Sequence, residues 1–353
     1  MEKNLLETLR DFIPRNYQAQ QTSIWHKVPV SRRLAVFVLL FLGRLGELRV
    51  VLTKRSSKLR NFPGHISLPG GKADNGLELL WMVSRREMSE EIGLGEDNVY
   101  LKEKFGVSIE HLTELPCYLS RTFLAVRPCV GFMDYPHDHT SEQKLLHSLE
   151  LKINPGESSG IFLCPLRDFL LENSASDERE CLESTLHAIK WGGIPWNLRS
   201  FTFPQHNLHE AEWLKGLEDL SASEEDFSSE DEKHKLLRAE ERQLKKRKLE
   251  LWGKLGSRRD SVTQQKIYDV WGLTANILHD LAELIYRNKE LKNRELGEEE
   301  LIWSIWNYGG QMRAKERSEA ESRLILSVPG DGVSFSEVLP RTEFNRLKRL
   351  YKM

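Results

Sequence analysis

The stretch Gly71–Leu94, GKADNGLELLWMVSRREMSEEIGL, constrains this chain more than any other part of it. It ends in Arg86-Glu87-Met88-Ser89-Glu90-Glu91-Ile92-Gly93-Leu94, and its pattern reads as one helix from about Leu77 to Ile92. A helix turns ~100° per residue, so acids at i, i+3 and i+4 share a face. Glu87, Glu90 and Glu91 then fall within an arc of about 100°. Crowding like charges in this way is unfavourable unless a cation sits among them. Hard oxygen donors on a rigid helix suit Mg²⁺ or Mn²⁺, which bind through a few carboxylates plus substrate phosphate.

The flanks of the stretch define the helix ends. Asp74 or Asn75 can cap its start, and Gly93 stands where a left-handed C-terminal cap is expected. Leu79, Leu80, Met82, Val83, Met88 and Ile92 supply an apolar side to anchor it in a core. Before it, Leu68-Pro69-Gly70-Gly71 reads as a strand end and a tight turn where backbone approaches a ligand. A nucleotide P-loop is excluded, because Lys72 is followed by Ala73 rather than Ser or Thr.

At these residues the chain resembles the Nudix hydrolase family, whose box is G-x5-E-x7-R-E-U-x-E-E-x-G-U with U aliphatic. Glu78 stands at the x7 spacing before Arg86, while Met88 and Leu94 fill the U positions. Six residues separate Gly71 from Glu78, so the loop is one residue longer than the pattern. Upstream, Leu52-Thr53-Lys54-Arg55-Ser56, Leu59-Arg60 and Gly64 to Asp74 resemble the coenzyme A diphosphatase branch. Lys54, Arg55, Lys58 and Arg60 form a basic segment, and guanidinium groups bind phosphate oxygens bidentately. Downstream, Asn154-Pro155-Gly156-Glu157 with Gly160–Leu166 is similar to the family's acid-plus-strand segment. Val270–Leu278 is similar to its Trp-Gly-Leu-Thr helix start.

The resemblance implies an α/β Nudix sandwich, α/β/α with a mixed sheet, and a metal-dependent diphosphatase of coenzyme A and acyl-CoA. Glu87, Glu90 and Glu91 would hold Mg²⁺ or Mn²⁺. Arg86, paired with Glu78, would orient them, and Glu87 or Glu157 would be the general base. Lys54, Arg55, Arg60, Gly70 and Gly71 would bind substrate, with Gly93 closing the helix. The products would be 3′,5′-ADP and (acyl) 4′-phosphopantetheine. Two alternatives stand beside it: a Nudix hydrolase of another nucleoside diphosphate (an oxidised nucleotide, NADH or ADP-ribose), or a non-catalytic binding module.

At 353 residues the chain can bury one good core with length left for insertions. Its 51 basic and 53 acidic residues give a net charge of -2, so no global field marks nucleic acid as a partner. Cys117, Cys129, Cys164 and Cys181 lack C-x-x-C spacing and read as free thiols. The apolar run Leu34 to Leu42 is about half a membrane span and reads as a buried strand, and no signal peptide is apparent.

Residues 1–30 read as an amphipathic helix and lead-in, and 31–287 as the catalytic domain. Strands are expected from Arg33, over Leu48 to Leu52, around Tyr100 to Glu103, over Tyr118 to Arg127 and over Gly160 to Leu163, with a helix from Leu166 to Glu172. Roughly 174–262 is a charged insertion. Within it the aromatic Trp191–Phe203 packs on the core or the substrate entrance, and Ser221–Glu232 is disordered. Residues 233–254 read as an exposed helix, with Lys245-Lys246-Arg247-Lys248 a solvated face. Residues 288–353 form a helical extension anchored by Trp303, Trp306 and Tyr308. The resemblance points to the peroxisome, with cytoplasm or mitochondrion as alternatives. The final Tyr351-Lys352-Met353 matches a Ser-Lys-Leu address only in part.

Overall fold

A ten-residue strand buried on both faces organises the molecule. A computed structural model describes residues 2–14, 22–59, 61–135, 149, 151–170, 179–205, 209, 211, 214, 258–259, 263–287, 296–327 and 331–351. A short α1 (Leu6–Arg10) precedes β1 (Arg33–Leu42) and β2 (Leu48–Arg55). Alternation sends Phe37, Leu39 and Phe41 of β1 into one core and Val38, Leu40 and Leu42 into another. Strands covered on both sides need layers on both sides, and helices supply them here.

The short β3 (Ile66–Ser67) and β4 (Gly70–Lys72) lead into α2 (Leu80–Ile92) and α3 (Asn98–Phe105). Then come β5 (Ser108–Glu114), β6 (Tyr118–Leu119), β7 (Ala125–Asp134) and β8 (Ser158–Pro165). These eight strands form one mixed sheet in the order β3-β2-β1-β7-β5, with β4 on β1, β6 on β7 and β8 on β2. The β1–β7 pairing is parallel and the others are antiparallel.

A second, antiparallel sheet has the order β11-β12-β10-β9, built from β9 (Glu183–Trp191), β10 (Ile194–Pro204), β11 (Arg258–Arg259) and β12 (Lys266–Trp271). After β12 the chain turns directly into α4 (Gly272–Tyr286), whose Ile277, Leu278 and Leu281 join Val38 and Leu40 in the second core. On the opposite face, Leu80, Val83, Met88 and Ile92 of α2 pack with Phe37 and Leu39. The expected mixed α/β fold, with helices on both faces of the sheet, is what is observed.

Three further helices, α5 (Glu299–Asn307), α6 (Glu319–Leu326) and α7 (Arg341–Leu350), follow. Leu301, Ile305, Leu324 and Leu347 from them enter the first core, and Trp303 and Trp306 pack against it. Tyr308 is 47% exposed and meets Trp303 edge-on, so it contributes less than expected. A buried pair, Arg32 and Glu321 at 2.6 Å, ties this segment to the strand region. Arg32 also donates to the carbonyls of Phe123, Ala314 and Glu316, so its guanidinium is well matched despite burial.

Several local expectations are corrected. Tyr100 to Glu103 lies in α3, not in a strand: the Asp97 carboxylate caps the N–H groups of Val99 and Tyr100, and Gly106 ends the helix at φ +69°. Leu166 begins only a single 3₁₀ turn, Leu166–Phe169. The region from Tyr118 to Arg127 is broken by a turn at Ser120–Leu124. Of the expected apolar side of α2, Leu79 and Met82 are 62% and 53% exposed. Trp191, Phe201 and Phe203 are buried in the core. The expectations for 221–232, 233–254 and 245–248 lie outside the described residues, as does Arg60. The three buried cysteines and the partly buried Cys181 are all free thiols. No helix among the described residues is long and apolar enough to cross a membrane.

Candidate active site

The acidic helix α2 starts at Leu80, three residues later than the sequence pattern suggests. Asn75 accepts hydrogen bonds from the N–H groups of Leu77 and Glu78, so it caps the preceding turn rather than the helix. Gly93 ends the helix at φ +77°, and its N–H returns to the Ser89 carbonyl. A β-carbon there would stand 2.7 Å from the backbone nitrogen of Lys152, so both conformation and space require glycine.

The three glutamates of α2 sit in three different environments. Glu91 is buried and turned into the sheet, where its carboxylate accepts from the Gly70 N–H at 3.0 Å, Thr53 Oγ1 at 2.9 Å and Ser158 Oγ at 3.2 Å. Burial raises its pKa, while those three donors and the charge of Arg55 pull it down. Glu87 lies partly buried against the β4 turn. Burial pushes its pKa up to about 7, Arg86 opposes this, and Glu90 and Glu91 add to it. Glu90 is on the open side, its side chain 48% exposed.

Arg86 ties the outer acids together. Its Nε donates to Glu78 at 2.8 Å, its Nη1 to Glu87 at 3.0 Å and Glu90 at 3.3 Å, and its Nη2 to the Lys72 carbonyl at 2.9 Å. The Glu78 bond is the leading cause of its raised pKa. Burial alone would raise the pKa of Glu78, but Arg86 and the Asp74 N–H leave it lowered. Glu78 and Arg86 are eight residues apart in sequence, so the contact requires the chain before α2 to fold back over the helix.

Opposite the helix, the β2 end supplies positive charge. Arg55 is largely buried; burial lowers its pKa, and Glu91 and Glu157 pull it back up. No acceptor among the described residues meets its buried Nε. Lys54 points to the other face of β2, with its ammonium 5.8 Å from the Tyr268 ring. Glu157 is exposed at the tip of the turn before β8, and its carbonyl accepts from the Ser56 N–H at 2.9 Å. Gly70 approaches β1 so closely that a β-carbon would lie 2.3 Å from the Ala35 carbonyl oxygen. At Gly71 a β-carbon would lie 2.2 Å from the Glu87 carboxylate.

Among the described residues, no three His, Cys, Asp or Glu side chains already converge at metal-ligand spacing. The reason is local: Glu91 is engaged by three protein donors, and Arg86 bridges Glu87 to Glu90. The donors are nonetheless hard carboxylate oxygens, and the bare Gly71 gives the Glu87 carboxylate room that a side chain would take. Mg²⁺ characteristically takes one or two carboxylates and completes its shell with water and substrate oxygens. The residues present fit such an ion.

Thr53 and Ser158, which fix Glu91, are functional neighbours that no motif in the sequence points to. Thr53 directly precedes the basic residues Lys54 and Arg55, and strand alternation puts it on the same face as Arg55. Nothing in the local sequence marked Ser158.

Known proteins resemble this chain over the part that carries the site. A family model described as NUDIX domain matches residues 31–184. Peroxisomal coenzyme A diphosphatase 1 of Saccharomyces cerevisiae is 37% identical over 96% of this chain and 93% of its own length. Nudix hydrolase 15, mitochondrial, of Arabidopsis thaliana is 39% identical over 42% of this chain and 46% of its own. Peroxisomal coenzyme A diphosphatase NUDT7 of Mus musculus is 31% identical over 40% of this chain and 50% of its own.

Proposed function

The chain belongs to the Nudix family, and from that premise we propose that it hydrolyses the diphosphate bond of coenzyme A and acyl-CoA. The products are 3′,5′-ADP and (acyl) 4′-phosphopantetheine. The observation that carries this reading is the likeness to the yeast coenzyme A diphosphatase along nearly the whole of both chains.

Enzymes of this family require a divalent metal ion, and Mg²⁺ or Mn²⁺ suits the all-oxygen donors of Glu87, Glu90 and Glu91. Bound there, it would supply positive charge against the negative charge that builds on the diphosphate oxygens when water attacks. The protein's own groups set up the rest. Thr53, Ser158 and the Gly70 N–H hold Glu91 as an oriented carboxylate. Arg86, locked by Glu78 and the Lys72 carbonyl, fixes where Glu87 and Glu90 stand. Arg55, on the face of β2 that meets Glu91, would face the substrate phosphates, whereas Lys54 lies on the other face against Tyr268; Gly70 and Gly71 let β4 pack close against β1 and Glu87. Arg60 belongs to the same basic segment by sequence.

Of the two candidate general bases, Glu87 is the better supported. In the metal-free protein burial raises its pKa, which favours proton uptake, and a cation bound beside it would lower that pKa again. Glu157 is supported by its electrostatic pull on Arg55 and its exposed position beside the β2 end. The names of the yeast and mouse relatives support a peroxisomal location, and that of the Arabidopsis relative a mitochondrial one.

Incubation of the full chain with Mg²⁺ and, in parallel, coenzyme A, 8-oxo-dGTP, NADH and ADP-ribose tests the assignment. Preferred release of 3′,5′-ADP from coenzyme A is expected. Preference for a substrate lacking pantetheine, or no turnover at all, would overturn it.

A further inference from the structure

Beside Arg55, and apart from the carboxylates, three aromatic side chains meet. The Arg55 backbone N–H donates to the His65 carbonyl at 2.9 Å, so His65 lies across from the partly buried arginine. The indole N–H of Trp271, at the end of β12, donates to His65 Nδ1 at 2.9 Å. Ring centroids are 5.5 Å apart for His65–Trp271, 5.7 Å for Phe62–His65 and 6.3 Å for Phe62–Trp271. The second sheet therefore reaches the edge of the first at this point, next to the charge of Arg55.

Two features of the trio go beyond packing. An indole N–H can only donate, so Nδ1 of His65 carries the lone pair and Nε2 the proton. That Nε2–H makes no hydrogen bond among the described residues. Burial, helped by Arg55, pushes the His65 pKa down to about 4, so the ring is a neutral donor at physiological pH. Phe62, meanwhile, has φ +51° and is 47% exposed. A non-glycine residue in the left-handed region is strained, and here the strain holds a large apolar ring half in water. Filling a core requires neither arrangement. A flat heterocycle would use both, stacking on the aromatic surface and accepting from the imidazole.

We infer that Phe62, His65 and Trp271 form the subsite for the nucleobase of the substrate, with Arg55 between that base and the carboxylate helix. The inference rests on the nucleoside-diphosphate reading above and adds to it where the base lies and which side chains select it. It also gives the second sheet a task, because β12 carries Trp271 to the site.

The test is calorimetric binding of ADP and of inorganic pyrophosphate to the full chain with Mg²⁺, for wild type, Phe62→Ala and Trp271→Phe. Phe62 is a surface side chain, so its truncation leaves the core intact. Loss of a stacking partner should weaken ADP binding about tenfold in Phe62→Ala, with pyrophosphate affinity unchanged. Trp271→Phe keeps a ring but frees the His65 tautomer, and should weaken ADP by a smaller factor, again without affecting pyrophosphate. Equal ADP affinity in all three proteins would overturn the subsite, as would parallel losses for both ligands. Binding is read here without turnover. Failure of wild type to cleave coenzyme A would thus refute the proposed reaction separately from this result.

Discussion

Glu91 and Thr53 lie 38 residues apart and are joined by a 2.9 Å hydrogen bond inside the protein. With Ser158 and the Gly70 N–H, that bond makes Glu91 the most constrained acid of the helix. Glu91→Gln would turn an amide N–H₂ toward groups that are themselves donors. The variant should lose activity by about 100-fold or more, as disrupted metal surroundings do. It should also lose roughly 1–3 kcal/mol of stability from unsatisfied buried groups. Kinetics with coenzyme A and a denaturant melt check both; an unchanged melt would contradict the described geometry.

Gly71→Ala tests the space in front of Glu87. The new β-carbon would stand 2.2 Å from that carboxylate, so the side chain must swing away. Displacement of a catalytic group by about 1 Å can cost about 100-fold. The expected result is a fall in kcat of that order with little change in Tm, since the obstacle is a movable side chain rather than backbone. Full activity would mean that Glu87 works from another position.

The helix and its acids could be read from sequence because acids, arginine and glycine cap recur at fixed helical spacings. The surroundings that give them character could not. Thr53, Ser158 and the Lys72 carbonyl reach α2 through tertiary folding, and single residues of these types carry no periodic signal. Tyr100–Glu103 is too short to show a helical period by itself, and the Asp97 cap and Gly106 that bracket it as a helix lie outside it. The β9–β10 hairpin carries a weak sequence signal, because the edge strand β9 is mostly exposed and only the Gly192-Gly193 turn, both at positive φ, marks it. The Arg32–Glu321 pair joins segments 289 residues apart and leaves no trace in local pattern.

Glu298 gives a pH dependence remote from the active site. Desolvation pushes its pKa up to about 8; the Leu119 N–H opposes this and Asp280 reinforces it. In the unfolded chain a glutamate titrates near about 4.3. Between those values the folded state binds more protons than the unfolded, so this group's contribution to stability falls as pH rises, then levels off. Glu298→Gln removes the effect while keeping an acceptor for Leu119. The Tm of the variant relative to wild type should therefore increase steadily from pH 5 to pH 8. A difference independent of pH would show that Glu298 ionises without cost.

Glu87, Glu90 and Glu91 are proposed to hold divalent cations against a diphosphate. Anomalous diffraction from a crystal soaked in Mn²⁺ with ADP tests this most directly. Manganese peaks are expected at about 2.0–2.2 Å from carboxylate oxygens of this helix, with diphosphate oxygens completing the shell. Nucleotide bound with those carboxylates free of metal, or manganese held only elsewhere, would contradict it.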